Sequence, residues 1–360
     1  MTKERLKQKA QALPLLPGVY LMEDAFGNII YVGKSKALKN RVSSYFGNSQ
    51  KPSKVERMVR CIQDFSIQLT DTELDALILE CRLIKKYKPL YNRLLKQDHK
   101  YRYLYLNPEE VRPRVKLVRE QTQEGIYFGP YEKGKGLFEA VQAINAYYEL
   151  PDCKPYEIRE ACLTYKRQKC LGPCREPFDK EQFKQRLEHA ILFLKGVDQR
   201  LITFYEMQMT KAAEALAFEE ALALKETWKA LKALHFKKEA MDFAASHQVT
   251  LLLLERPKGG KKLSLWLGAT MIWAQVIEGH VTEKDLETLM HSMSKALIEK
   301  QYIEKRTLQK EEIDEIQIVY SILRKQSEKR CQAFELQTID KDNEKLLKKG
   351  LLELLGLNKD

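Results

Sequence analysis

Near the start of the chain, two short runs of strand-forming residues, 18–22 and 29–33, flank the turn-forming Asp24-Ala25-Phe26-Gly27-Asn28. This pattern predicts a β-hairpin, and a helical pattern follows it. Further on, Val55, Met58, Val59 and Ile62 fall at helical spacing and Phe65, Ile67 and Leu69 alternate as in a strand. Asp71 or Thr72 then caps a second long helix, which Pro89 ends. A tyrosine-rich β region is expected over 101–129. The turn Lys133-Gly134-Lys135-Gly136 leads from it into a helix over 137–148. From Asp179 to about Leu234 the pattern is helical with a break at Gly196, and Phe183, Leu187, Ile191 and Leu194 form one apolar stripe. The last portion predicts strands over 249–255, 261–268 and 270–278, helices over 283–299 and 310–325, a strand over 333–337 and a final helix. A chain of 360 residues is long for one core, so the expected class is α/β with several domains.

Strand alternation places Gly18 and Tyr20 on one face of the first strand and Ile29, Tyr31 and Gly33 on one face of the second. In the following helix Arg41 and Tyr45 are four apart, and Lys34 falls near the same azimuth if the first turn extends back to it. Phenols, a guanidinium and an ammonium on one patch suit a phosphodiester. Within the apolar run Ala76–Ile84, Glu80 is the only acid. A buried carboxylate is costly unless it pairs with a base such as Lys34 or Arg41, or coordinates a cation.

Charge sharpens this picture. The chain carries 62 Lys and Arg against 50 Asp and Glu, a net +12. The window 31–104 alone holds 16 bases against 7 acids, or +9, so the excess surrounds the candidate patch. That concentration is what a phosphate-contacting face requires. The charged first residues lack the apolar core of a signal peptide, and no apolar run approaches the ~20 residues of a membrane span, so a cytoplasmic protein is expected.

Gly18-Val19-Tyr20 and Tyr31-Val32-Gly33, followed by Lys34, Arg41, Tyr45, Glu80 and Asn92, resemble the GIY-YIG nuclease motif in the version carried by the excision-repair nuclease UvrC. The resemblance covers 17–106. It implies a nuclease domain with a small sheet flanked by helices, acting on damaged double-stranded DNA. In that family Tyr31 would act as general base or orient the attacking water, its phenolate stabilised by Lys34, Arg41 and a metal. Arg41 would hold the scissile phosphate, and Tyr20 and Tyr45 would position water and phosphate. Glu80 would carry one Mg²⁺ or Mn²⁺, and Asn92 would line the site. The implied reaction is hydrolysis of one phosphodiester on the 3′ side of a lesion within a UvrB-bound complex, with UvrA engaged indirectly.

Among seven cysteines, Cys61 and Cys81 sit on apolar helix faces and Cys331 is isolated, which favours core packing for all three. Cys153, Cys162, Cys170 and Cys174 cluster in one segment, and cytosolic disulfides are disfavoured. Their spacing leaves zinc and an iron–sulfur cluster comparable. The segment also resembles the UvrC cysteine region, which implies a cluster of the 4Fe–4S type. Tyr101, Tyr103 and Tyr105, next to Lys100 and Arg102, could track a nucleic-acid strand or belong to an edge strand with one apolar face. Residues 209–234 resemble a UVR motif, a helical hairpin that docks on UvrB; a helix pair packed on its own domain is the alternative.

The resulting division is a nuclease domain over 1–106, a linker and cysteine region over 107–178, a helical UVR-like region over 179–236 and a small α/β domain over 237–360. The 251–254 strand lacks the carboxylates of the RNase H-like second nuclease of full-length UvrC, as in the shorter, Cho-type members. A free-standing GIY-YIG nuclease with its own site recognition and a non-catalytic repair scaffold are the alternatives from other classes.

Overall fold

The computed structural model describes residues 2–47, 49–92, 101–151, 162–175, 178–246, 248–300, 312–326, 330–335 and 341–357. The chain divides into two compact units, Met1–Asp98 with Ala240–Asp360, and His99–Glu239. No helix among the described residues is long and apolar enough to cross a membrane.

The first unit opens with α1 (Lys3–Gln11), β1 (Gly18–Glu23), β2 (Ile29–Ser35), α2 (Leu38–Phe46), α3 (Ser53–Cys61), β3 (Asp64–Leu69) and α4 (Glu73–Tyr87). The strands form an antiparallel sheet in the order β2-β1-β3. Asp24 closes the hairpin turn by accepting the N–H groups of Phe26 and Asn28, both at 2.9 Å. Alternation along β1 divides the core in two. Tyr20 and Met22 join Leu38, Val42, Phe46, Met58 and Phe65 on one face. Val19 and Leu21 join Ala76, Leu83 and Ile84 of α4 on the other. Thr72, not Asp71, caps α4: its hydroxyl accepts the Asp75 N–H while the Asp75 carboxylate accepts the Thr72 N–H, a reciprocal capping box. The apolar-face expectation fails for Cys61, which is exposed at the end of α3 with Sγ 3.4 Å from the Tyr91 hydroxyl. Cys81 is buried.

The second unit holds β4 (Tyr101–Leu106), β5 (Lys116–Val118) and β6 (Ile126–Glu132), then α5 (Lys135–Tyr147), α6 (Leu163–Lys166), α7 (Lys180–Leu194), α8 (Arg200–Glu214) and α9 (Phe218–Ala245), the last residues of which belong to the first unit. β4 is the central strand of its sheet, so both expectations for its tyrosines are corrected. Tyr101 and Tyr105 are buried, and Tyr103 packs edge-on against Tyr127, which leaves no aromatic ladder open to a nucleic acid. The helical stretch breaks at Gly196 as expected (φ 80°) and again at Leu216 (φ 59°), between α8 and α9.

The chain returns to the first unit with β7 (Gln248–Glu255), β8 (Lys261–Leu267), β9 (Thr270–Ile277), α10 (Glu283–Lys300), α11 (Ile313–Leu323), β10 (Cys331–Glu335) and α12 (Lys341–Leu355). The antiparallel sheet β10-β7-β8-β9 buries Val249, Leu251, Leu263 and Leu265 against Leu289, Met293, Leu347 and Leu351 on one face. Leu252 and Trp266 on the other face meet Val319 and Leu323 of α11, together with Leu74 and Ile78 of α4. Cys331 packs against this second cluster.

Removing the α4 cap by Thr72→Ala should destabilise the first unit by about 1 kcal/mol, lowering its thermal transition by about 2–4 °C in a melting scan. An unchanged transition would mean that the capping box adds nothing to α4.

Candidate active site

The pairing of β1 with β2 sets Tyr20 opposite Gly33 and Met22 opposite Tyr31. Tyr20 and Tyr31 therefore rise from the same face of the sheet, and α2 brings Tyr45 to meet them. The Tyr20 and Tyr45 hydroxyls are 2.8 Å apart, and the three ring centroids lie within 5.8–6.4 Å of one another. The close packing requires Gly33. A Cβ there would run into the Tyr20 hydroxyl and come within 2.9 Å of Tyr31 Cε1. Arg41, one turn before Tyr45 on α2, lays its guanidinium 5.4 Å from the Tyr45 ring centroid.

Asn92 sits at the free edge of β2 and acts as a strand surrogate. Its Oδ1 accepts the Val32 N–H and its Nδ2 donates to the Val32 carbonyl, both at 2.9 Å, while Tyr91 N–H donates to the Ile30 carbonyl. From the opposite side α4 presents Glu80, whose Oε1 accepts the Lys34 backbone N–H at 2.9 Å. The Lys34 side chain does not join this group. Lys34 lies on β2, not on the helix, and alternation turns it away from Tyr31 and Gly33. Its ammonium pairs with Glu73 at 2.7 Å, which also holds Lys36 at 2.9 Å.

A cavity of about 690 Å³ collects Tyr31, Arg41, Tyr45, Glu80 and Asn92 on its walls. Lys51, Lys54 and Tyr91 line it too, and sequence reasoning missed all three. Lys54 is fixed by donating to the Tyr91 carbonyl at 2.9 Å, and Lys51 by donating to the Gly47 carbonyl at 2.7 Å. Their proximity in sequence to Arg41 and Tyr45 was the available signal; they read as ordinary solvated bases.

Burial dominates the titration of the site. It raises Tyr31 to about 12, with the neighbouring Tyr45 adding to the effect, and it raises Tyr20 further. The protein's own cations therefore do not hold Tyr31 as a phenolate, contrary to expectation: Lys34 is engaged by Glu73, and Arg41 lies against Tyr20 and Tyr45. Burial likewise pushes Glu80 above the usual carboxylate range, opposed by the Lys34 N–H and by Arg41. One part-buried carboxylate facing a water-accessible cavity fits Mg²⁺, which keeps most of its waters and takes one or two protein carboxylates. A divalent cation there would return Glu80 to its charged form.

The described members of the cysteine set, Cys162, Cys170 and Cys174, do not form such a group. Cys170 is buried and accepts the Gly172 N–H at 3.3 Å, while Cys162 and Cys174 are half-buried. Among the described residues no three Cys, His, Asp or Glu side chains gather as metal ligands. Cys153 lies outside the described residues.

Residues 16–93 match the UvrC-like GIY-YIG domain, and residues 101–193 match the middle domain of the UvrC/Cho excinucleases. The chain is similar to the UvrABC system protein C of Caldanaerobacter subterraneus subsp. tengcongensis, 42% identical over 229 residues that make up 61% of this chain and 37% of that protein. It is similar also to the UvrABC system protein C of Moorella thermoacetica, 37% identical over 270 residues, 71% of this chain and 44% of that protein. The match thus spans less than half the length of these relatives. Among solved structures, the magnesium-bound GIY-YIG N-terminal endonuclease domain of UvrC from Thermotoga maritima is 38% identical, and the match covers 26% of this chain and all of that one, with a TM-score of 0.24.

The electrostatics have a direct readout. In protein labelled with ¹³C at the tyrosine ζ carbon, the Tyr31 signal should titrate near about 12 without metal and at lower pH when Mg²⁺ is added, because a nearby cation favours the phenolate. A Tyr31 midpoint near 10, the value of a free phenol, would contradict the burial described here.

Proposed function

The chain belongs, over residues 16–193, to the UvrC/Cho excinuclease family, and on that premise we propose that it is a metal-dependent DNA endonuclease of nucleotide excision repair. It hydrolyses one phosphodiester on the 3′ side of a lesion in DNA held by a UvrB-bound complex. The observation that carries this reading is the single cavity lined by Tyr31, Arg41, Tyr45, Glu80 and Asn92 with the bases Lys51 and Lys54 at its wall.

Phosphodiester hydrolysis needs an oriented water and neutralisation of charge on the phosphoryl oxygens. Glu80 would hold Mg²⁺ or Mn²⁺, which supplies Lewis-acid polarisation of the phosphate and an acidified water. The chain's own residues do the rest. Arg41 offers a fork of N–H donors to the scissile phosphate, and Lys51 and Lys54 attract the flanking backbone. Tyr31, a neutral phenol in the metal-free protein, orients the attacking water and accepts its proton only to the extent that the cation lowers its pKa. The Tyr20–Tyr45 hydroxyl pair holds the phenols in place, and Asn92 fixes the β2 edge from which Tyr31 projects.

UvrB is the expected partner of the α8–α9 pair. This proposal is supported by the UVR-like sequence of 209–234 and by Leu216, Phe218 and Leu222, which stand 61–71% exposed at the turn. An iron–sulfur cluster on Cys153, Cys162, Cys170 and Cys174 rests on the sequence alone. Protein purified without oxygen should then be brown, with Cys170→Ala losing the colour; a colourless protein would remove the cluster.

The decisive assay is nicking of an end-labelled, lesion-bearing duplex with and without UvrA and UvrB. Glu80→Ala and Tyr31→Phe should abolish the 3′ incision and leave DNA affinity nearly intact, since neither removes a major phosphate contact. Full cleavage by Glu80→Ala would end the metal-carboxylate assignment. Lys54→Ala should instead weaken DNA binding and lower the slope of log affinity against log salt by about 1. An unchanged slope would place Lys54 outside the phosphate path.

A further inference from the structure

α4 works on two sides. Ala76, Glu80, Leu83 and Ile84 recur at helical spacing, and the apolar members pack on β1 and β2 while Glu80 faces the cavity. Ile78, Arg82 and Lys85, with Leu74 beside them, form the opposite side, and among the described residues its apolar partners come from the C-terminal part of the chain. Leu74 and Ile78 are buried with Leu252 and Trp266 of the C-terminal sheet and Val319 and Leu323 of α11.

Ion pairs tie down both ends. At the N-terminal end Lys262 reaches Asp75 at 2.8 Å and Asp71 at 3.8 Å, and Arg256 reaches Asp71 at 3.1 Å. At the C-terminal end Lys85 meets Asp314 at 2.8 Å and Arg82 Nε donates to Glu315 at 2.9 Å. The Lys85–Asp314 and Lys262–Asp75 side chains are only 14–18% exposed, so these pairs are largely desolvated. Beside this packing a cavity of about 660 Å³ is lined by Asp75, Ile78, Arg82, Lys262, Trp266 and Glu315. The outer side of α4 is therefore held by the apolar cluster around Leu74 and Ile78 and by paired charges at both ends.

On the front side Glu80 accepts one hydrogen bond among the described residues, the Lys34 N–H, and is otherwise aimed by the helix backbone. A displacement of α4 moves the carboxylate directly, and errors of about 1 Å in a reacting group's position have large effects. We propose that the C-terminal α/β part of the chain is a positioning device for Glu80, acting through α4, with Lys85, Asp314, Lys262 and Asp75 as positioning residues. This rests on the reading of Glu80 as the cation ligand.

The test uses the full chain and reads Mn²⁺ affinity by electron paramagnetic resonance, alongside hydrogen exchange of the amides of 76–84. Lys85→Glu and Asp314→Lys, each leaving like charges opposed in a part-buried site, should weaken Mn²⁺ binding about tenfold and speed exchange in α4. The double exchange Lys85→Glu with Asp314→Lys should restore both to within about twofold, while an unchanged thermal transition in the single variants separates displacement of α4 from loss of stability. Should the single variants fail to fold, Lys262→Met replaces them, with Lys262→Arg as the rescuing change. Wild-type Mn²⁺ affinity in Lys85→Glu or Lys262→Met, with Glu80→Ala weakened, overturns the positioning role alone. Wild-type affinity in Glu80→Ala overturns the cation-ligand reading and this proposal with it.

Discussion

The site depends on one close approach: the phenol of Tyr20 lies across the backbone of Gly33 on the neighbouring strand, where no larger residue leaves it room. That contact lets the Tyr20 hydroxyl reach Tyr45 on α2 and sets the Tyr31 ring against both. Gly18 plays the matching part on the far side of β1, where a Cβ would collide with the Gln68 carbonyl of β3. Two glycines thus allow three strands and a helix to close around Tyr20 and Tyr45, which are buried, and Tyr31, which is partly so. The remaining groups are added to that frame, Arg41 from one turn back along α2 and Asn92 from the chain that seals the β2 edge.

The electrostatic character of the site follows from this packing. Burying three phenols raises the cost of ionising any of them, and the same burial works against the charge on Glu80. Lys34, the nearest ammonium in sequence, is held by Glu73, so it does not offset that penalty at the phenols. A hard cation at Glu80 would supply positive charge there, and the cavity in front of the carboxylate has room for its waters. The proposed cation at Glu80 and the tyrosine packing are therefore two aspects of one constraint.

Much of this was legible in the sequence, for physical reasons. Alternation in the hairpin placed Tyr20 and Tyr31 on one face, and a lone acid in an apolar helical run marked Glu80. The C-terminal order of strands and helices followed from clean changes of period between 249 and 355. What failed depended on information that periodicity does not carry. Lys34 was expected near the Arg41 and Tyr45 azimuth only if the helix's first turn reached back to it; β2 instead continues through it, and one residue of alternation reverses a side chain. Tyr101, Tyr103 and Tyr105 were open to two readings, a binding ladder or an edge strand, because an edge strand and a central strand share the same pattern. The partners of α4's outer side, Arg256, Lys262, Asp314 and Glu315, lie more than 180 residues further along the chain, beyond any local signal.

Cleavage by a Gly33→Ala protein, which adds one methyl group and alters no proposed ligand or phosphate contact, most directly tests the packing of Tyr20 over Gly33. Its Mn²⁺ affinity and DNA binding should stay near wild type, because Glu80, Arg41, Lys51 and Lys54 are untouched. Its incision of a lesion-bearing duplex should fall by about a hundredfold or more as Tyr20 and Tyr31 are forced apart. Wild-type incision by Gly33→Ala would contradict the claim that the packing of Tyr20 over Gly33 sets the catalytic geometry.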